Sequence, residues 1–145
     1  MTLEPAASRQ GFLVCVVFII EREGGEVLLL KRSPLKDHAA GEWETGSGGI
    51  LSGESPYVAV VREAKEETGL DVDVVAVIDA FHFYRGRERR ETIGITFHCR
   101  TRGGDVTLSS EHDESKWVPV SALAEGPYPE WLRRAAMVIQ GPAAV

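Results

Sequence analysis

The stretch Gly46-Ser47-Gly48-Gly49-Ile50-Leu51-Ser52-Gly53-Glu54-Ser55-Pro56-Tyr57-Val58-Ala59-Val60-Val61-Arg62-Glu63-Ala64-Lys65-Glu66-Glu67-Thr68-Gly69-Leu70 changes character at Ser55. Before it, Gly46, Gly48, Gly49 and Gly53 permit backbone angles and close approaches that side chains would block. After it, Ser55 is a good N-cap, Pro56 suits the first helical position and Gly69 is a left-handed stop. The spacing therefore predicts a helix over 56–68. Tyr57, Val60, Val61 and Ala64 recur at i, i+3, i+4 and i+7 and read as its buried stripe.

Glu63, Glu66 and Glu67 then share one face beside that stripe. Like charges so placed repel, and Glu66 and Glu67 occupy the last turn, where the helix dipole favours cations. A helix selected for stability alone would carry Lys or Arg there. A divalent cation on that face resolves the conflict. Hard cations such as Mg²⁺ and Mn²⁺ prefer carboxylate, carbonyl and water oxygens and share their shell with substrate phosphates. The glycine loop can add carbonyl oxygens, or N–H groups for an anion. The plain alternative is a solvated acidic helix after a flexible loop. Three carboxylates set against the dipole, with that loop in front of them, weigh against it.

Gly48, five residues, Glu54, seven residues and then Arg62-Glu63-Ala64-Lys65-Glu66-Glu67-Thr68-Gly69-Leu70 closely resemble the Nudix box. All of its invariant positions are present between Gly48 and Leu70. Two departures are Ala64, smaller than the usual aliphatic residue, and Gly46-Ser47 in place of Pro-Gly. Both are expected to alter packing and loop shape without touching a ligand. The resemblance implies an α/β fold, a Nudix-type α/β/α sandwich with a mixed β-sheet between helices, over a single domain spanning 1–145. It also implies metal-dependent hydrolysis of a pyrophosphate linkage in a nucleoside diphosphate derivative, with water as nucleophile. By the same resemblance Gly48, Glu63, Glu66 and Glu67 hold Mg²⁺ or Mn²⁺, while Glu54 and Arg62 form a structural pair.

Such a reaction needs positioning and charge stabilisation more than covalent chemistry. It also needs a base for the proton of water. Glu63 and Glu66 are both candidates within the box, and spacing does not choose between them. Relatives often carry a glutamate six residues before a strand-opening Trp, on a mobile loop. Glu111 stands at that offset from Trp117 and is a further candidate base or ligand; Glu114 is a weaker one. An alternative reading is a catalytically weak Nudix module that senses a nucleotide or ADP-ribose. The intact carboxylate set opposes it.

The 145 residues suffice for one domain with a substantial core. A net charge of −6 without a basic face argues against a nucleic-acid partner. Cys15 and Cys99 lie in apolar runs without metal-type spacing and read as reduced core thiols, so a cytoplasmic location is expected. The run 12–20 is too short to span a bilayer and lacks a signal-peptide pattern, so no membrane partner is expected. His38, His82, His98 and His112 show no zinc-ligand spacing. The expected partner is a small-molecule nucleotide, and a homodimer is compatible with the chain.

Strands are expected over 12–20 and 26–32, joined by a Gly24-Gly25 turn, and over 72–83, 92–99 and 116–120. In 92–99, Ile93, Ile95, Phe97 and Cys99 form one face, and Thr92, Gly94, Thr96 and His98 the other. A helix is expected over 129–140, with Trp131, Leu132, Ala135, Val138 and Ile139 as its stripe. Arg32, Phe83 and Tyr84 are the candidate substrate-binding residues, Tyr84 lying near where dinucleoside polyphosphate hydrolases of the family carry a tyrosine. Phe81 could stack on a base beside them. The run Arg85-Gly86-Arg87-Glu88-Arg89-Arg90-Glu91 reads as a solvated hairpin that could instead clamp a phosphate.

Overall fold

The apolar run near the start of the chain forms strand β1 (Leu13–Arg22), buried on both faces from Cys15 to Ile20. In the computed structural model, which describes residues 11–35 and 40–142, it is the spine of the sheet. His38 lies outside the described residues. The remaining elements are β2 (Glu26–Arg32), β3 (Trp43–Glu44), β4 (Ser47–Gly49), α1 (Pro56–Thr68), β5 (Val72–Arg85), β6 (Arg90–Thr101), β7 (His112–Pro119), α2 (Val120–Glu125) and α3 (Glu130–Gln140). Strands follow the order β3-β2-β1-β6-β5, with β4 on β1 and β7 on β2. The β1–β6 pair is parallel and the others are antiparallel, so the sheet is mixed.

Alternate residues of the central strands enter two cores, which is why β1 and β2 read as continuous apolar runs. Val16, Phe18, Ile20, Leu28 and Leu30 pack with Ala59, Val60 and Ala64 of α1. Ile19, Val27 and Leu29 pack with Leu123 of α2 and Leu132, Ala135 and Ala136 of α3. Helices thus cover both faces. None of the described helices is long and apolar enough to cross a membrane.

Strand positions agree with the expectation, and the departures have physical causes. The polar face of β6 is buried as well: Thr92 and Thr96 are inaccessible, and His98 is bonded to Glu21 at 2.8 Å. Opposite Gly94 in the β5–β6 register stands Phe81, whose ring fills the space a Cβ would take. β7 is longer than 116–120 because it pairs with β2 from His112 to Pro119, and Val120 already begins α2. The expected loop carrying Glu114 is therefore strand, and Glu114 pairs with Lys31 at 3.2 Å on the surface.

One feature of the sheet positions the site. β1 and β2 are paired only next to their hairpin, at Glu21↔Val27 and Arg22↔Glu26. Beyond that they part, and β3 on β2 and β4 on β1 fill the opening. The glycine stretch is thus partly strand, and it delivers Glu44, Gly46 and Gly48 to the middle of the sheet.

Candidate active site

Helix α1 has the ends that its sequence predicts. Ser55 Oγ accepts from the Val58 N–H at 3.2 Å, Pro56 is the first residue, and Gly69 closes the helix at φ 74°. Its buried line differs from the expectation. Tyr57 is 55% and Val61 38% exposed, whereas Val60, Ala64, Glu67 and Thr68 are buried. These sit at i, i+4, i+7 and i+8, so Glu67 takes an apolar position in the packing line. Tyr57 keeps only an edge contact with Phe97, 5.3 Å between ring centres. Lys65, on the outer side, donates to the Gly69 carbonyl at 3.2 Å and supplies the cation that the dipole favours.

Glu67 is 2% exposed, and its Oε2 has no hydrogen-bond partner among the described residues. Burial, reinforced by a hydrogen bond to Glu111 and by the charges of Glu111, Glu63 and Glu44, pushes its carboxyl up to about 10. Two carboxyl groups share a hydrogen bond only if one of them holds a proton. Carboxylate oxygens of Glu67 and Glu111 and a ring nitrogen of His112 lie within 4.8 Å of one another. The structure thus brings Glu111, from the far end of the chain, to the box.

Glu63 lies against the Gly48 backbone so closely that its carboxyl occupies the place of a Cβ at that residue. Any side chain at position 48 would evict it. Burial raises the Glu63 pKa, opposed by Arg62 and aided by Glu66 and Glu111. Gly46 has the same function one step earlier. At φ 107°, a Cβ there would strike the Phe18 ring and stand 2.9 Å from Glu67 Oε2. The Gly46-Ser47 departure therefore leaves room beside Glu67 that a side chain at position 46 would take.

Arg62 binds Glu54 through two parallel bonds, Nε to Oε2 at 2.7 Å and Nη2 to Oε1 at 2.9 Å. That ion pair and the Leu51 N–H hold the Glu54 carboxyl down at about 2. The same guanidinium donates to the Gly49 carbonyl at 2.9 Å, to Glu63 at 2.9 Å and to Glu66 at 3.2 Å. One arginine therefore ties loop and helix together and orients two of the three helix carboxylates. Glu66 itself projects outward, with 57% of its side chain exposed.

A second network was not legible in sequence. Arg32 Nη1 donates to both oxygens of Glu44, at 2.9 and 3.0 Å, and His112 Nε2 stands 2.7 Å from Glu44 Oε1. Burial pushes the Glu44 carboxyl up, but His112 and Arg32 outweigh it and leave it below the ordinary value. Arg32, expected to bind substrate, is held on Glu44 with its side chain 6% exposed, and it also lines the cleft that opens beside the acidic centre. Through His112 the network anchors the turn that carries Glu111, whose carbonyl accepts from the Ser33 N–H at 2.9 Å.

Beside this acidic centre opens a cleft of about 440 Å³. Cys15 and Val17 floor it, Arg32, Glu44, Gly46 and Ser47 line the side toward the box, and Phe81 and Phe83 form the opposite wall. Trp131 of α3 stacks on Phe81, 4.8 Å between ring centres and 13° between planes, and Phe81 stacks on Phe83 at 5.4 Å. Tyr84, 47% exposed, meets His82 edge-on, and Arg89 lies over its ring at 4.9 Å.

The family model for the NUDIX domain matches residues 11–138. The chain belongs to the Nudix hydrolase family. Its fold resembles the crystal structure of a MutT protein from Methanosarcina mazei, with a TM-score of 0.76 and 28% identity over 90% of this chain and 93% of that one. It is 28% identical to an RNA pyrophosphohydrolase of Roseobacter denitrificans, over 89% of each chain. It is also 34% identical to an octanoyltransferase of Myxococcus xanthus, over 75% of this chain but 31% of that one. This Nudix chain thus spans about a third of the length of that relative.

The donors of this Nudix centre fit a hard divalent cation. They are carboxylate oxygens of Glu67 and Glu111 with a ring nitrogen of His112 close by, and the buried Glu67 Oε2, unpartnered among the described residues, is the acceptor that a cation would satisfy.

Proposed function

We propose that this chain hydrolyses a pyrophosphate linkage in a nucleoside diphosphate derivative, with water as nucleophile. The observation that carries the reading is the buried carboxylate Glu67, without a partner on Oε2, facing Glu63 and Glu111. A helix designed only to pack would place an aliphatic residue there. Glu63, Glu66, Glu67 and the Gly48 carbonyl would hold Mg²⁺ or Mn²⁺. When bound, the cation neutralises phosphate charge and lowers the pKa of water.

The chain's own residues supply the rest. Arg62 keeps Glu63 and Glu66 in place while Glu54 keeps Arg62 in place. Glu111, beside Glu67, is the group we assign to take the proton from the attacking water; Glu63 and Glu66 are the alternatives within the box. The Phe81, Phe83 and Trp131 surfaces would receive the base or another flat group of the substrate. The pyrophosphohydrolase relative supports the reaction class.

A panel of nucleoside triphosphates, dinucleoside polyphosphates, ADP-ribose and nucleotide sugars tests the reading. Mg²⁺-dependent release of a nucleoside monophosphate, with ¹⁸O from solvent water in one product, is expected from at least one class. Absence of turnover across the panel, with tight binding of ADP-ribose, would favour the sensor reading instead.

A further inference from the structure

The turn between β5 and β6 carries Arg85, Arg87, Arg89 and Arg90, and it is unlike the rest of this acidic surface. Elsewhere Arg22, Arg62, Arg100 and Arg134 each hold a carboxylate, and Arg133 on α3 is an isolated exception among the described residues. Arg85, Arg87 and Arg90 are in ion-pair range of none among the described residues. Moreover Arg85 and Arg90 are direct cross-strand partners. Like charges in that relation repel and weaken a hairpin. Arg89, with φ 50°, is the one non-glycine residue at positive φ among the described residues, and it stacks on Tyr84. A left-handed arginine and an opposed arginine pair both cost stability, and such costs cluster at binding sites.

Position gives the cluster a use. Arg85 lines the cleft beside Phe83, and it also lines an adjoining concavity of about 460 Å³ with Arg87, Arg90 and the single acid Glu88. Gly48 is level with Val16, whereas Leu13 is level with Thr92, and Arg90 lies two residues further out. Five strand residues separate the two levels, about 16 Å at the usual rise. A ligand that reaches both ends must extend past its diphosphate by a body the size of a nucleoside.

We propose that Arg85, Arg87 and Arg90 form an anion subsite at the outer end of the cleft, which takes a phosphate monoester on the part of the substrate remote from the hydrolysed diphosphate. This rests on the pyrophosphohydrolase reading above and narrows its substrate class. Arginine forks bind phosphate through paired, charge-assisted bonds, and a bound phosphate turns the repulsion between Arg85 and Arg90 into a shared attraction.

The test uses ligand pairs that differ by one phosphate: ADP-ribose with and without a 2′-phosphate, and coenzyme A with and without its 3′-phosphate. Titration calorimetry with Ca²⁺ replacing Mg²⁺ gives the affinity ratio within each pair. The wild type should favour the phosphorylated member of at least one pair by about tenfold, as one charge-assisted contact allows. In Arg85→Gln/Arg90→Gln that ratio should fall toward one, and Arg85→Lys/Arg90→Lys, which keeps charge but loses the fork, should fall between. Equal affinity within both pairs, or a ratio unchanged in the Gln variant, would overturn the subsite. So would a preference only for a 5′-triphosphorylated trinucleotide over ATP, since the cluster would then serve a polynucleotide. Failure of the hydrolytic reading looks different: no monophosphate released from any member under Mg²⁺, whatever the affinity ratios.

Discussion

Helices α1 and α3 cover opposite faces of one sheet, yet they are built to different ends. α3 buries Leu132, Ala135 and Ala136, an apolar line with nothing to satisfy. α1 buries Ala59, Val60 and Ala64 and then, in the same line, the carboxyl of Glu67. The buried line of α3 only packs, while its Trp131 reaches the rim of the cleft; the buried line of α1 carries an acid into the interior beside Glu63 and Glu111. The contrast shows where this fold gives up stability, and the place is the candidate active site.

Four experiments can break or sharpen that contrast. The largest effect is expected from Glu67→Gln, which keeps shape and loses the charge: turnover should drop at least about a hundredfold while the circular dichroism spectrum is unchanged. Near-normal turnover would remove Glu67 from the metal set. Leu132→Ala in α3 should do the opposite, costing about 2–5 kcal/mol in urea unfolding while the surviving folded protein keeps its rate constant.

The third concerns pH. The folded pKa of Glu67 is raised to about 10 from an ordinary 4.5, so the metal-free folded state holds a proton that the unfolded chain has released. Its contribution is fully present below the unfolded pKa and is lost as pH rises through the folded one, so the melting temperature should decline between about pH 5 and pH 10. Saturating Mg²⁺ or Mn²⁺ should raise the melting temperature and flatten that decline. Parallel curves with and without cation would contradict the assignment. The smallest effect is expected from Arg62→Lys, which loses the paired bonds to Glu54 but keeps a charge: about tenfold in turnover, rather than abolition.

Much of the fold was legible because its signals are local. Ser55, Pro56 and Gly69 mark the ends of α1 through backbone chemistry that acts within a few residues. The apolar runs of β1 and β2 announce strands covered on both sides. Burial of Glu67 was not legible, because a carboxylate in a packing line reads as surface; only its spacing from Val60 and Ala64 hinted otherwise. The burial of Thr92 and Thr96 escaped for the same reason. The Arg32–Glu44–His112 network joins β2, β3 and β7 across the sheet, and no local pattern links residues so far apart. β3, β4 and α2 are two, three and six residues long, too short for periodicity to register.

The parallel pairing of β1 with β6 sets Leu13 beside Thr92 and Glu21 beside Arg100. Most of the chain must be synthesised and threaded before those partners can meet, and contacts so distant in sequence form slowly. The floor of the cleft is on β1 and its aromatic wall on β5, which reaches β1 only through β6. A nascent or truncated chain that ends before β6 would already contain every residue of the acidic box and still have no substrate cavity. Formation of this cleft is therefore a late event in the maturation of the molecule, and occupation of it by a ligand would report complete folding.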